Sequence, residues 1–409
     1  MVLCNGHGED LIALRLIQAL LQRRPELRVA VLPLVGLGDV FAGAEAAGAL
    51  QRIGPRQALP SGGFSNQSLT GLGADLASGL PRLAWRQWRL VRRWGLSGAP
   101  LLAVGDLLPL ALAWSSGASY GFVGTPKSDY TWASPPPPGW GRSPWADRYH
   151  RCKGSEWDPW EWALMRGRRC RLVAMRDPLT ARGLRRHRVA AEAPGNPMMD
   201  GFDPASLPDW MEGRRRLLLL PGSRMPESLA NLRRLLAGLP EAGLPLILLL
   251  PSGSRPATAE LAPLLTAVGF EPRSAPAAEA AAAWGRGSQL LLHGPGCFSR
   301  WAPWAELGLA TAGTATEQLA GLGIPALSLP GPGPQFTVPF ARRQSRLLGG
   351  AVLPCHDARE LAGRLAALLA DPTAREALGQ RGRRRMGPAG GSARLAERIE
   401  TCLLAGREG

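Results

Sequence analysis

Short apolar runs alternate with helix-like stretches along the whole chain, and this alternation restricts the fold more than any other feature. The runs include VLCN (2–5), VAVLPL (29–34), LLAVG (101–105), YGFVG (120–124), CRLVAM (170–175), LLLLPG (217–222), LILLLP (246–251), LLLHG (290–294), GLATAG (308–313), ALSLPG (326–331) and AVLPC (351–355). The pattern predicts an α/β fold with parallel sheets and crossover helices. Ligands in such folds bind beyond the carboxyl ends of the strands. At 409 residues the chain exceeds one ordinary core, so two domains are expected. The segment 196–216, rich in Pro and Asp and without a clean period, is the expected connection. This gives a first domain over 1–195 and a second over 196–388. A closing amphipathic helix falls within 389–409, with Leu395, Ile399 and Cys402 or Leu403 on one face. Proline and tryptophan crowd an insert at 132–162, which reads as an ordered surface loop or lid on the first domain.

A hydrophobic share of 45% with 20% charged residues marks a globular chain rather than a disordered one. The formal net charge is +16, and only Lys127 and Lys153 are lysines. Such a chain attracts anions: nucleotide diphosphates, anionic lipid headgroups or nucleic acid. The arginines are scattered, and no zinc-finger spacing or RNA-binding aromatic motif appears, so nucleic acid is not expected. Cys4, Cys152, Cys170, Cys297, Cys355 and Cys402 form no CxxC pair, which speaks against a metal site and a disulfide framework. No signal peptide is evident, and Asp106 interrupts the longest nearly uncharged stretch, Leu96 to Lys127. The expectation is a cytoplasmic protein.

Several motifs sit where strands end. GHGED (6–10) follows the first run and opens a helix. Gly6 and Gly8 let backbone approach a ligand, and His7 can hold a hydroxyl or act as a base. The alternative is a tight turn whose Glu9 and Asp10 favour the helix dipole. Asp106, closing LAVGD, is either a base for an acceptor hydroxyl or an N-cap ahead of Pro109. Asp177 with Pro178 reads as a cap and first-turn pair. The stretch 82–95 interleaves arginines with Trp85, Trp88 and Trp94. It is either a helix that lies on an anionic membrane through Trp85, Trp88 and Arg89, or one that packs its tryptophans inward. His187, His293 and His356 stand alone and read as structural.

Two signals in the second half are sharper. In LLLLPGSRMPES (217–228) a strand runs into Gly222, Ser223 and Arg224 and then a helix. Gly222 permits a tight turn, Ser223 offers a hydroxyl, and Arg224 can clamp a diphosphate with two hydrogen bonds. In AGTATEQ (312–318) a small-residue turn starts a helix whose N-terminus can receive phosphate oxygens. Glu317 in its first turn can bind both hydroxyls of a ribose, although Thr314 to Glu317 also resembles a capping box. GPGPQFT (331–337) then presents Gln335 toward the helix start.

Together LPGSRxxE, GNPMMD (195–200), GTATEQ and the closing GSARLA pattern resemble lipid-A-disaccharide synthase, and still more the cyanobacterial lipid-A-disaccharide synthase-related proteins. The likeness spans roughly 1–405. It implies the glycosyltransferase B architecture: two Rossmann-like domains with parallel sheets facing a cleft, the last helix returning to the first domain. It implies a UDP-sugar donor held by the second domain as substrate, with no further cofactor. Ser223 and Arg224 would contact the diphosphate, the backbone from Gly313 through Thr314 to Thr316 would cradle phosphate, Glu317 and Gln318 would face the nucleoside, and Gln335 would approach the sugar. Gly6, Gly8 and Asp10 would form the acceptor-side loop, with His7 or Asp106 as base. The family's Gly-Glu-x-Ser-Gly-Asp start is replaced here by GHGED. The leading expectation is a metal-independent, inverting transferase acting on a lipid-linked or anionic acceptor at the inner membrane face. A UDP-sugar 2-epimerase and a non-catalytic nucleotide- or membrane-binding scaffold are the rival readings.

Overall fold

Each half of the chain forms a sheet whose order reverses at its centre. In the computed structural model the described residues are 1–6, 8–57, 73, 75–141, 144–202, 206–240, 244–276, 280–331 and 336–405. They divide into two units. The first comprises Met1–Asp129, Arg148–Asp200 and Ala389–Gly409, and the second Tyr130–Asp147 and Gly201–Pro388.

The first unit carries β1 (Val2–Cys4), β2 (Ala30–Pro33), β3 (Gln51–Arg52), β4 (Leu101–Gly105), β5 (Tyr120–Gly124), β6 (Cys170–Met175) and β7 (Ala191–Glu192). Their order is β3-β2-β1-β4-β5-β6-β7, and every pair is parallel. Strands covered on both faces need no polar alternation, and β1, β4 and β5 are buried at every position. The closing helix Gly391–Ile399 belongs to this unit and packs against the helix Gly8–Arg23. Leu395, Ile399 and Leu403 supply its buried face, while Cys402 is half-exposed. Asp200 fixes its start by accepting from the backbone of Gly390 (2.5 Å) and Ser392 (2.6 Å).

The second unit carries β8 (Arg215–Leu220), β9 (Leu246–Ser252), β10 (Glu271–Arg273), β11 (Ala282–Arg286), β12 (Gln289–Pro295), β13 (Leu307–Ala310), β14 (Ala326–Ser328) and β15 (Val352–Pro354). The order is β10-β11-β12-β9-β8-β13-β14-β15. Only the β10–β11–β12 edge is antiparallel. From β12 to β15 the sheet repeats the Rossmann order, with β9 and β12 to one side of β8 and β13, β14 and β15 to the other. Its core is leucine-rich, with Leu217, Leu219, Leu248, Leu250 and Leu309 among the buried side chains.

The Trp/Pro-rich insert does not stay whole. Residues 130–147 pack with the second unit, and the chain returns to the first at Arg148. The crossing near the expected connection falls between Asp200 and Gly201. Physically, the first part of the insert is captured by one buried cation. Arg346, on the helix Val338–Leu347, pairs with both oxygens of Asp147 (2.8 and 3.0 Å). It also donates to the carbonyls of Ser134 (2.9 Å) and Trp132 (2.6 Å). Trp140 stacks on His356 with centroids 4.3 Å apart, and Arg385 lies over the Tyr130 ring. The lone histidines are structural in the same sense: His187 stacks on Trp162, and buried His293 bonds Ser252 and Thr258.

Removing one member of a buried ion pair strands the other charge and costs about 3–5 kcal/mol. Asp147→Ala is therefore expected to lower the unfolding free energy of the second unit by about that amount, read as a lower urea midpoint, and to expose Trp140. Tryptophan fluorescence during the titration measures both effects.

Candidate functional site

The strand order places a crevice at each sheet's reversal point, between β1 and β4 in the first unit and between β8 and β13 in the second. The GHGED turn, Asp106, the Gly222–Arg224 turn and the Gly313 helix start leave the sheets at these four strand ends.

In the second unit, Leu220 of β8 pairs in register with Ala310 of β13, so the two following loops start side by side. Thr311 ties them together through its backbone N–H, which donates to the Leu220 carbonyl at 2.8 Å. Gly222 adopts φ +91°, a region that side-chain-bearing residues rarely enter. Its carbonyl accepts from the Ser228 hydroxyl (2.8 Å), and the Asn231 amide holds the Pro221 carbonyl (3.2 Å). The turn is thus braced from the helix Glu227–Leu236. Ser223 is exposed and Arg224 half-buried, and burial holds the Arg224 guanidinium below its ordinary pKa. The helix Thr314–Gly321 begins at Gly313, which as the N-cap has no side chain to cap it. The capping box that Thr314 and Glu317 resemble does not form. Gln344 instead donates to the carbonyls of Ala312 (3.2 Å) and Gly313 (3.1 Å), fixing the turn from behind.

Gly313, Thr314 and Glu317 are half-exposed at this helix start. Thr316 and Gln318 are buried. The Thr316 hydroxyl donates to the Ala312 carbonyl at 2.7 Å, so it serves the turn and not an open face. Gln335 lies outside the described residues.

In the first unit, Gly6 and Gly8 flank the end of β1, and His7 lies outside the described residues. Asp10 points inward. Its carboxylate accepts from the Gly6 backbone at 3.0 Å and bonds the Cys4 thiol, and burial raises its pKa. It shapes the loop from within. Asp106 caps the helix Leu107–Ser115, accepting from the Leu108 backbone at 3.1 Å. Burial also raises its pKa, against hydrogen bonds from Leu108 and Asn5 and the charge of Lys127. Asp177 is a cap alone, bonded to the Thr180 backbone and the Ser128 hydroxyl. Trp85 is 56% exposed and stacks with half-buried Trp88 at 4.9 Å, with Arg89 exposed beside them, whereas Trp94 packs against the core of the unit. Leu83, Gln87 and Val91 form its buried side.

The structure adds Glu9, assigned from the sequence only to the helix dipole. Glu9 stands at the reversal point, with its carboxylate accepting from the Thr125 hydroxyl (3.3 Å) at the end of β5. Gly105, at φ +132°, has no Cβ to fill the space between Asn5, Pro109 and Glu9. Burial pushes the Glu9 carboxyl up to about 7, with the nearby Asp106 charge adding to the rise. The Asn5 side-chain oxygen is buried and has no hydrogen-bond partner among the described residues. Thr125 was findable from sequence, since it follows the run YGFVG as Asp106 follows LLAVG. The inward lean of Glu9 was not, because helix position alone sends it to solvent.

The repeated reversing order in two parallel-dominated sheets defines an α/β protein of the glycosyltransferase B fold. Solved structures agree. The calicheamicin glycosyltransferase CalG4 shares 15% identity with a TM-score of 0.60, covering 99% of this chain and 98% of that one. MnaA of S. aureus, solved with UDP, shares 13% identity at a TM-score of 0.59, covering 98% of this chain and 95% of that one. Os79 of O. sativa in complex with UDP shares 15% identity at 0.57, covering 98% and 99%. At such identities the likeness establishes the fold. No family model and no curated relative matches the chain. No helix among the described residues is long and apolar enough to cross a membrane.

The raised Glu9 pKa has a stability consequence. Between about 4.5 and 7 the folded state binds a proton that the unfolded state releases, so this group's contribution favours folding less as pH rises through that window. Glu9→Gln is expected to stabilise the protein above pH 7 by roughly 1–3 kcal/mol, at 1.36 kcal/mol per pKa unit, and to be neutral below pH 4.5. Urea denaturation at pH 4 and pH 8 checks the difference.

Proposed function

We propose that the chain is a glycosyltransferase that takes a UDP-sugar donor in its second unit and activates an acceptor hydroxyl in its first. The observation that carries this reading is the pairing of the Gly222–Arg224 turn with the uncapped Gly313 helix start on adjacent strands. A guanidinium and open helix N–H groups side by side suit a diphosphate. UDP in two structures of the same fold supports the choice of nucleotide.

Arg224, the Ser223 hydroxyl and the N–H groups at Gly313 and Thr314 would hold the diphosphate. Glu317 would take the ribose hydroxyls, and Gln335 would meet the sugar. The charge that develops on departing UDP would then fall on Arg224 and fixed N–H dipoles, an arrangement that needs no divalent cation. An acceptor oxygen attacks the anomeric carbon, the bond from that carbon to the UDP oxygen breaks, and the hydroxyl proton passes to a carboxylate. Attack from the face opposite UDP inverts the anomeric centre.

Glu9 suits the proton acceptor better than Asp106. The oxygens of Asp106 are committed to the Leu108 backbone and Asn5, whereas Glu9 titrates near neutrality. The motif likeness to lipid-A-disaccharide synthase-related proteins favours a lipid-linked acceptor. The exposed Trp85 and Arg89, with half-buried Trp88 stacked on Trp85, would then meet an anionic membrane surface on the cytoplasmic side.

Calorimetric titration of UDP tests the donor site. Wild type is expected to bind, and Arg224→Ala and Glu317→Ala each to bind about tenfold or more weakly, the worth of a charge-assisted contact. Absence of UDP binding to wild type would overturn the reading. For the base, Glu9→Gln is expected to lower kcat by about a hundredfold to ten-thousandfold while leaving UDP affinity unchanged. The wild-type rate is expected to rise with pH through about 7, as Glu9 ionises.

A further inference from the structure

A second concave site in the first unit is built for an anion. After β3, the residues Arg56 and Gln57 approach the start of the helix Leu80–Leu96. The Gln57 amide donates to the Ser78 carbonyl at 2.7 Å and joins the two walls. Between them lies a cavity of about 480 Å³, with Arg56, Arg82 and Arg86 in its lining. None of these three guanidiniums has a carboxylate partner among the described residues. Glu45, whose charge is felt alongside Arg56, is occupied by Arg52 at 2.6 Å.

The helix adds to the same field. It begins at Gly79, φ +91°, with no side-chain cap and no acidic residue in its first turn. Gly79, Arg82 and Leu83 all line the cavity. Uncompensated guanidiniums beside an open helix start match the oxygens of phosphate more closely than those of a single carboxylate. The volume exceeds a bare phosphate and leaves space for what it is attached to. One turn further along the helix, Trp85 and Trp88 stack and Trp85 stands exposed.

We propose that Arg56, Arg82 and Arg86 form a phosphate-binding site, separate from the nucleotide site, for either a phospholipid headgroup or a free phosphate group. The site does not depend on the transferase reading, because all of its residues lie in the first unit and none takes part in donor binding.

The test measures inorganic phosphate by calorimetry in an Arg224→Ala background, which removes the diphosphate site from the signal. In parallel, co-sedimentation compares phosphatidylglycerol with phosphatidylcholine vesicles. The triple variant Arg56→Gln, Arg82→Gln, Arg86→Gln is expected to lose at least tenfold in affinity. Loss of phosphate binding alone identifies a soluble ligand, and loss of phosphatidylglycerol binding identifies a lipid one. All three side chains are exposed, so the variant keeps its fold; Arg86→Gln alone gives a smaller loss in the same direction. A control triple of exposed arginines, Arg168→Gln, Arg171→Gln and Arg182→Gln, removes equal charge and is expected to bind as before. Equal loss in the control, unchanged binding in the test triple, or no binding of either probe to the unmutated site would overturn the proposal.

Discussion

Both candidate sites depend on one constraint of parallel sheets. When strands are added on both sides of a central strand, the connections leave in opposite directions at that point, and no crossover covers the gap. Here the gap opens between β1 and β4, and again between β8 and β13. Nothing in the sheet fills it, so polar groups can stand there without displacing core. The described residues of both candidate sites are arranged around those gaps. Gly105 leaves no Cβ in the space between Asn5, Pro109 and Glu9, Gly222 takes a φ of +91° for its turn, and Thr311 and Thr125 stitch neighbouring strand ends together.

The two crevices are furnished differently. The second unit offers positive or donor groups: Arg224, Ser223 and the helix start at Gly313. The first gathers carboxylates: Glu9, Asp10 and Asp106 within one loop cluster. Crowded, partly buried carboxylates resist ionisation, and an uncapped helix start invites anions. A donor site and a proton-accepting site are the chemistry these opposite furnishings suit. Burial, which raises the Glu9 carboxyl to about 7, holds its ionised form at the cost of stability.

Much of this was legible along the chain. The apolar runs marked the strands, because parallel strands covered on both faces carry no alternation to confuse the reading. The motifs at 222–224 and 313–317 stood at strand ends as expected from glycine and small-residue turns. What stayed hidden was direction. Thr316 and Gln318 belong to a helix start that looks uniformly polar in sequence, yet both turn inward, and Glu9 turns from the solvent side of its helix toward Thr125. The split of the insert was hidden too, because the partner that captures it, Arg346, lies about two hundred residues downstream. Local pattern carries secondary structure; the choice of a distant partner is made by packing.

The return of the closing helix has a consequence for synthesis. Gly391–Ile399 belongs to the unit that contains β1, and Asp200 anchors its first turn. A ribosome therefore releases the second unit's last strand and helices before the first unit has received its final piece. The face of the helix Gly8–Arg23 that this piece covers stays wet until residues 391–399 have been made. The first unit therefore waits on residues made after the second, and a nascent chain stalled short of residue 391 would present that uncovered face to whatever binds exposed apolar surface in the cell.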